Sequence, residues 1–269
     1  MRRKILLAVS CGIVCIILCF LTLFIISVNQ AKNLVAYINE QDYASLEDAC
    51  KLTIFIDKTP AYSLIWNAVC ETNVWTPLQE ACANNDIKAV TILLENGADP
   101  NKTPPFQLPW YAPLQIAASN GSVDIMNALI EHGADVELYG HNALVLLTKT
   151  ARYGEDRISF ETYKACYTLL KEQGMSASHP SFEKRSLLFE AALLSDLEVT
   201  EYLASENGIQ LTVCDSDGRT LLHYACLSGF ADPNAEYIQY LLDCGIDPTI
   251  KDSYGKTAYD YAVEKGLTE

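Results

Sequence analysis

The chain has 269 residues, of which 50% are hydrophobic, so it is long enough to bury a substantial core. Its formal net charge is −15, and because Arg2, Arg3 and Lys4 are the only charged residues among the first 30, the remainder carries −18. An acidic body of this kind excludes nucleic acid and disfavours anionic lipid as partners. It suits a basic protein partner, although high net charge also simply favours solubility.

The N-terminus carries a membrane signal. Residues 1–4 are predicted to form a short cytoplasmic end, and the run from Ile5 to Val28 a transmembrane signal-anchor helix, because these 24 residues contain no charge. At about 1.5 Å per residue such a helix crosses a hydrocarbon core of about 30 Å. The residues after Ile26 make a poor signal-peptidase site, so we expect the anchor to stay uncleaved. Lipidation at Cys11 is disfavoured since the apolar stretch before it is too short.

The charges around this span predict the topology. Three basic residues precede it and only Lys32 follows closely, so the positive-inside rule keeps the N-terminus in the cytoplasm. The body is then extracytoplasmic: periplasmic in a bacterium, lumenal or extracellular in a eukaryote. The reversed topology, with a cytoplasmic body, is the alternative.

A repeat fills the rest of the chain. The segment "TPLQEACANNDIKAVTILLENGADPN" (76–101) matches "APLQIAASNGSVDIMNALIEHGADVE" (112–137) at a constant offset of 36, with apolar residues in the same helical spacing. The opening phrase returns as "TLLHYACLSG" at 220 and "TAYDYAVEKG" at 257. This unit resembles the ankyrin repeat, in which a Thr-Pro-Leu-His-x-Ala phrase opens a helix pair that ends in Gly-Ala-Asp.

The resemblance implies an all-α repeat solenoid of helix-turn-helix units with β-hairpin fingers, covering residues 34–269. About six repeats begin near Ala44, Thr76, Ala112, Asn142, Ser186 and Thr220, with a C-terminal cap from Thr257. The copies at 44 and 142 are weak and rest mainly on spacing. "NLVAYINEQD" before Ala44 is predicted to be an N-terminal cap helix. In the copy at 142 the second helix arrives about ten residues late, after "TKTARYGEDRIS" as a longer first helix or a loop.

An unusual stretch, "NKTPPFQLPWY" (101–111), occupies one predicted finger. The glycine ending the second helix usually lies 12 residues before the next repeat; here Gly97 lies 15 before Ala112, and Gly133 only 9 before Asn142. The register continues on both sides, so the stretch is a lengthened finger rather than a domain linker. Prolines stiffen it, and aromatic residues are enriched at binding hot spots. The predicted protein-binding residues are Phe106, Leu108, Trp110, Tyr111 and Trp75. The alternative is that Phe106 and Trp110 fold back beside Trp75.

Motifs for chemistry were not found. No nucleophile elbow, zinc-protease motif, phosphate loop or paired carboxylates occur, so we expect neither an enzyme nor a cofactor, metal or small-molecule substrate. "DSDG" at 215–218 is interpreted as a turn rather than the start of a calcium loop. The resemblance assigns His223 a structural role in hydrogen bonding neighbouring loops. The seven cysteines after the span permit disulfides without requiring them.

These features predict a non-enzymatic, membrane-anchored module that binds a protein partner with an acidic ankyrin surface. One version is an immunity protein that neutralises a basic toxin. The other is an envelope scaffold for a resident enzyme. With reversed topology, the same domain is a cytoplasmic adaptor.

Overall fold

The computed structural model describes residues 30, 32–52, 75–103, 112–149, 152, 157–175, 187–207, 210–227 and 234–266. The predicted anchor, Ile5 to Val28, lies outside these ranges. No helix within them combines the length and hydropathy needed to cross a membrane.

The described residues form helices joined by turns, and none of them is in a β-strand. Helix α1 covers residues 32–40 and corresponds to the predicted N-terminal cap helix. The other helices are, in chain order, α2 Tyr43–Leu52, α3 Pro77–Ala83, α4 Ile87–Glu95, α5 Pro113–Ser119, α6 Val123–Glu131, α7 Val136–Lys149, α8 Phe160–Glu172, α9 Leu187–Leu193, α10 Leu197–Asn207, α11 Leu221–Leu227, α12 Ala235–Asp243 and α13 Ala258–Glu264. The partner expected after α2 falls in 53–74, outside the described residues.

Local signals in the sequence set the ends of these helices. Thr76 caps α3 in a capping box with Gln79, and Thr257 caps α13 with Asp260 in the same way. Four glycines that follow second helices have a positive φ angle: 90° at Gly97, 90° at Gly133, 89° at Gly174 and 85° at Gly245. This left-handed backbone ends a helix and favours glycine, which has no Cβ to clash.

The chain divides into two compact units. One contains the described residues up to Ile116 together with Ala128–Ala134, and the other contains Ala117–Asn127 and the residues from Asp135 onward. In the first unit α4 packs against both α2 and α3. In the second unit the first helices of successive repeats pack in order, α7 on α9, α9 on α11 and α11 on α13, while α8, α10 and α12 pack on their own first helices.

The predicted β-hairpins are wrong for the fingers that the structure describes. The fingers at Asp215 and Asp252 are turns with two internal backbone hydrogen bonds each. In the first, the Asp215 amide donates to the Arg219 carbonyl (3.0 Å) and the Gly218 amide to the Asp215 carbonyl (3.1 Å); in the second, the Asp252 amide donates to the Lys256 carbonyl (2.9 Å) and the Gly255 amide to the Asp252 carbonyl (2.9 Å). Each aspartate side chain accepts two further amide hydrogens of its own finger. Because the carboxylate takes these donors, no strand ladder extends beyond the first pair.

The weak copy at 142 has a different start from the predicted one. Its first helix begins at Val136 rather than near Ala143, and the Asp135 carboxylate accepts the Leu138 amide at 2.9 Å at the helix start. The short interval after Gly133 therefore contains no finger, since α7 takes up its residues. The late second helix is confirmed as α8.

Arg152, within the inserted segment of this copy, makes a buried ion-pair network. Its guanidinium donates to both carboxylate oxygens of Asp196 (2.8 and 3.1 Å), to Glu198 (2.8 Å) and to the Ile158 carbonyl (2.9 Å). The Arg152 side chain is 2% exposed and that of Asp196 5%. Asp196 also accepts the Val199 amide at the start of α10. One arginine therefore fixes the insertion to the next repeat.

We predict that Arg152→Met destabilises the full chain by about 3 kcal/mol, because the Asp196 carboxylate stays buried without its cation. Urea unfolding followed by circular dichroism measures the change. The control is Lys51→Met, which removes an exposed 2.9 Å pair with Glu47 and is expected to cost under about 0.5 kcal/mol. Equal losses in the two variants would contradict the assigned role of Arg152.

Candidate binding surface

The proline-aromatic finger is described at its two ends. Asn101 donates its side-chain amide to the Gly133 carbonyl at 2.9 Å, and its backbone amide to the Asp99 carboxylate at 2.9 Å. At the other end, the Ala112 amide donates to the Gln115 side chain at 3.0 Å. Both ends of the finger are thus hydrogen-bonded to the repeats.

Four of the predicted contact residues, Phe106, Leu108, Trp110 and Tyr111, lie outside the described residues. Trp75, the fifth, is described and partly buried just before the capping residue Thr76. Its indole nitrogen is enclosed and has no hydrogen-bond partner in the described part of the chain. A tryptophan in this position presents part of its ring to solvent while its polar atom stays inside.

The fingers before α11 and α13 are built alike. Tyr224 donates its hydroxyl to Asp215, and Tyr261 donates to Asp252, each at 2.6 Å. The Ser253 amide donates to the Asp217 carbonyl at 2.7 Å, which joins the two fingers directly. Each finger is therefore held against its own helix and against its neighbour. Such preorganised loops lose little entropy when a partner binds.

Arg219 connects these two fingers through its side chain. It donates to the Asp252 carboxylate at 3.3 Å and lies 5.2 Å from the ring centre of Tyr254. Tyr254 is 67% exposed, and the half-exposed Asp217 carboxylate lies 3.5 Å from the Arg219 guanidinium. The finger edge thus presents the Tyr254 ring and the Asp217 carboxylate, and both lie close to the Arg219 guanidinium.

The Asp252 carboxylate is held in its ionised form. Burial opposes its charge, but hydrogen bonds from Tyr261, from the amides of Lys256 and Tyr254, and from Arg219 outweigh that effect and lower its pKa to about 2. The same contact with Asp252 raises the pKa of the Tyr261 hydroxyl. This hydrogen-bond network has a structural role, because all of its members belong to the fingers and helices themselves.

His223 has the structural contacts that the resemblance implies. Its Nδ1 lies 3.1 Å from the Thr220 amide, and its Nε2 lies 3.1 Å from the Lys256 carbonyl in the next finger. Gln79 and Gln115 take the same place in their own repeats, where their side-chain oxygens accept the Thr76 and Ala112 amides. Either residue type supplies the acceptor that this position needs.

The buried cysteines among the described residues are held as neutral thiols. Burial raises the pKa of Cys50 to about 11 and that of Cys166 to about 12, and it raises the pKa of Cys82 further. The six described cysteines, Cys50, Cys82, Cys166, Cys214, Cys226 and Cys244, are free. The described residues also contain no cluster of three or more potential metal ligands.

Exposed apolar side chains are the part of the surface that the sequence did not reveal. The large ones in the described residues are Ile87, Leu138, Tyr254, Tyr259 and Val263. Three of these five lie within ten residues at the C-terminal end. Tyr259 and Val263 lie in the predicted C-terminal cap, at helix positions whose counterparts in the preceding repeat, Leu222 and Cys226, are buried.

Comparison with known proteins identifies the repeat. Models of ankyrin repeats match residues 158–252 and 188–269 in one case and 78–130 in another, and together these matches cover more than half of the chain. The chain belongs to the ankyrin-repeat family. The weak copy at 44 lies outside the matched residues. No curated protein matches the whole sequence significantly.

Solved structures share this fold at low sequence identity. The human ASB11 ankyrin repeat domain has a TM-score of 0.60 and 20% identity, covering 85% of this chain and 90% of that one. The ankyrin repeat domain of Bcl-3, described as a unique member of the IkappaB protein family, has a TM-score of 0.58 and 18% identity, covering 85% of this chain and 92% of that one. A chain in the complex of the predatory endopeptidase Bd0816 from Bdellovibrio bacteriovorus with the immunity protein Bd3460 has a TM-score of 0.53 and 23% identity, covering 71% of this chain and 92% of that one. These likenesses establish the all-helical ankyrin fold.

We predict that Asp252→Asn weakens the acid sensitivity of the C-terminal repeats. The folded state lowers the Asp252 pKa to about 2 from an ordinary value of 3.8, so it holds the ionised form more tightly than the unfolded chain does. The resulting stability is complete above about pH 4 and is lost as the pH falls towards 2. Thermal melts should therefore show that the melting temperature falls less between pH 6 and pH 2 for Asp252→Asn than for the wild type.

The control for this measurement is Asp217→Asn, which changes a half-exposed carboxylate in the neighbouring finger. Between pH 4 and pH 2 this variant should lose as much melting temperature as the wild type does. If Asp252→Asn also lost as much as the wild type, other carboxylates would be the cause of the acid sensitivity.

Proposed function

We propose that this chain is a membrane-anchored, non-enzymatic module that binds a basic protein on the far side of the membrane. The single observation that carries the binding role is the ankyrin fold itself, because stacked repeats of this kind typically offer an extended surface for binding. The fold alone does not name the partner. The charge of the chain, −15 overall, favours a basic one.

The anchor and its direction follow from the N-terminal sequence. The uncharged run from Ile5 to Val28 is long enough to span a bilayer, and the basic residues before it favour a cytoplasmic N-terminus. Helix α1 starts only a few residues after this run. The ankyrin domain would therefore work close to the membrane surface.

An alkaline phosphatase reporter fused after Glu269 tests the topology. Because this enzyme folds only in an oxidising compartment, we expect activity with the full chain in bacterial cells. The control is a fusion that lacks residues 1–28, which should be inactive. A full-length fusion that is inactive as phosphatase and active as a cytoplasmic reporter would establish the cytoplasmic adaptor instead.

A particular version of this function is immunity against a basic toxin. It is supported by the acidic body and by the occurrence of the same fold in the solved complex with the immunity protein Bd3460. That likeness is 23% identical and concerns the fold, so the version rests mainly on charge. An immunity protein protects its own cell from a competitor's or its own toxin, whereas an envelope scaffold associates steadily with a resident enzyme. Growth of a deletion strain in competition separates the two.

The proposed contact edge is the lengthened finger, with Phe106, Leu108, Trp110, Tyr111 and the adjacent Trp75. Its prolines stiffen it, and the hydrogen bonds of Asn101 and Ala112 hold both its ends. Large aromatic side chains in a stiff loop are the kind of residue that dominates binding energy.

We predict that the double variant Phe106→Ala and Trp110→Ala lowers the amount of partner that co-purifies with the full chain about tenfold or more, without lowering its melting temperature. Quantitative mass spectrometry of cross-linked complexes measures the capture. Leu138→Ala, an exposed apolar residue on α7, is the control and should capture as the wild type does. Loss of melting temperature in the double variant would show instead that both rings pack beside Trp75. A wild-type chain that captures no protein would contradict the binding function.

A further inference from the structure

Helix α13 has an apolar face that no helix covers in the described part of the chain. Tyr259 is 63% exposed and Val263 47%. They lie four residues apart, so they are neighbours on one face of the helix. The opposite side of α13 is closed, because Ala258 and Ala262 are buried and α13 packs on α11.

The equivalent positions are buried in the preceding repeats of the second unit. Tyr259 corresponds to Leu144, Leu188 and Leu222, which are at most 3% exposed, and Val263 corresponds to Thr148, Ala192 and Cys226, which are at most 6% exposed. In each of those repeats the first helix packs on the next first helix: α7 on α9, α9 on α11 and α11 on α13. The face of Tyr259 and Val263 thus has the same helix positions as three buried faces, each on a helix that is followed by another first helix.

The charges around this face are negative. The repeat from residue 234 to 266 contains six acidic residues and three lysines. Two of these lysines are engaged within the protein: Lys256 pairs with Glu264 at 2.6 Å, and Lys265 donates to the Leu227 carbonyl. Asp260 is exposed on α13, and Glu264, also exposed, is the carboxylate that pairs with Lys256. A helix that approaches this face meets apolar side chains beside the Asp260 carboxylate, in a repeat whose net charge is negative.

We propose that the face of Tyr259 and Val263 is a second contact site, which docks an amphipathic helix of the protein partner with apolar residues at i and i+4 and lysine or arginine beside them. This proposal rests on the binding function proposed above and adds a surface separate from the proline-aromatic finger. A second copy of this chain is a poorer occupant. Two partly exposed side chains give much less than the roughly 800 Å² per partner typical of a stable dimer, and a copy would bring like charge.

The test uses the full chain in mild detergent and three synthetic 16-residue peptides labelled with a fluorophore. The first has leucines at i, i+3, i+4 and i+7 and lysines elsewhere, the second has the same composition in scrambled order, and the third has glutamates in place of lysines. Fluorescence anisotropy measures binding. We expect the first peptide to bind and the other two to bind at least tenfold more weakly, since either the stripe or the charge is lost.

The double variant Tyr259→Ser and Val263→Ser should weaken binding of the first peptide at least tenfold. The matched control is Leu138→Ser, because Leu138 is also 63% exposed on a helix, and it should bind as the wild type does. Both changes are at exposed sites, and a thermal melt verifies that each variant folds. Equal binding of the scrambled peptide, wild-type binding by the double variant, or no binding of the first peptide would overturn the proposal.

Self-association is a further outcome that would overturn it. If analytical ultracentrifugation shows a dimer that the double variant abolishes, the occupant is a second copy. The site also separates from the proposed function. If the Tyr259 and Val263 variant captures the cellular partner as the wild type does while the Phe106 and Trp110 variant does not, the binding function stands and the second site fails.

Discussion

A helix pair of this protein is too small to bury its apolar residues by itself, and every other feature of the structure depends on that constraint. In the second unit the residues at the third position of the opening phrase, Leu144, Leu188 and Leu222, are buried, and each lies on a first helix that packs on the next first helix. Burial of apolar area is the dominant favourable term in folding. Each repeat is therefore stabilised by its neighbour, and the last described one leaves a face without such a neighbour.

Buried polar groups then set how the repeats register against one another. His223 reaches a carbonyl of the next finger, and the amide of Ser253 donates to the Asp217 carbonyl of the preceding one. Arg152 fixes an insertion to Asp196 at the start of the following second helix. A buried donor or acceptor without a partner costs free energy, so these contacts are satisfied only when the repeats lie in one arrangement. The apolar contacts supply the stability, and the polar contacts make the arrangement specific.

The local features and the contacts between repeats were not equally predictable from the sequence. The helices and the glycines after second helices follow from patterns within four or five residues, and the described residues contain them. The role of His223 was implied by the resemblance to the ankyrin repeat. The start of α7 did not, because Asp135 belongs to a Gly-Ala-Asp phrase that opens a finger elsewhere and here caps a helix. The Tyr224–Asp215 and Tyr261–Asp252 hydrogen bonds were not predicted either. Each aspartate has the pattern of an ordinary turn residue, and its tyrosine partner lies nine positions away in the sequence.

The sequence by itself determined the family, the order of the helices among the described residues, and the net negative charge, because periodicity and charge are both read along the chain. The tertiary structure alone decided which residues of that pattern are covered. Tyr259 occupies a core position in the repeat and yet is exposed, whereas Arg152 is a charged residue in an insertion and yet is buried. Burial is a property of what lies opposite a side chain, and the groups opposite these two residues are set by packing between repeats.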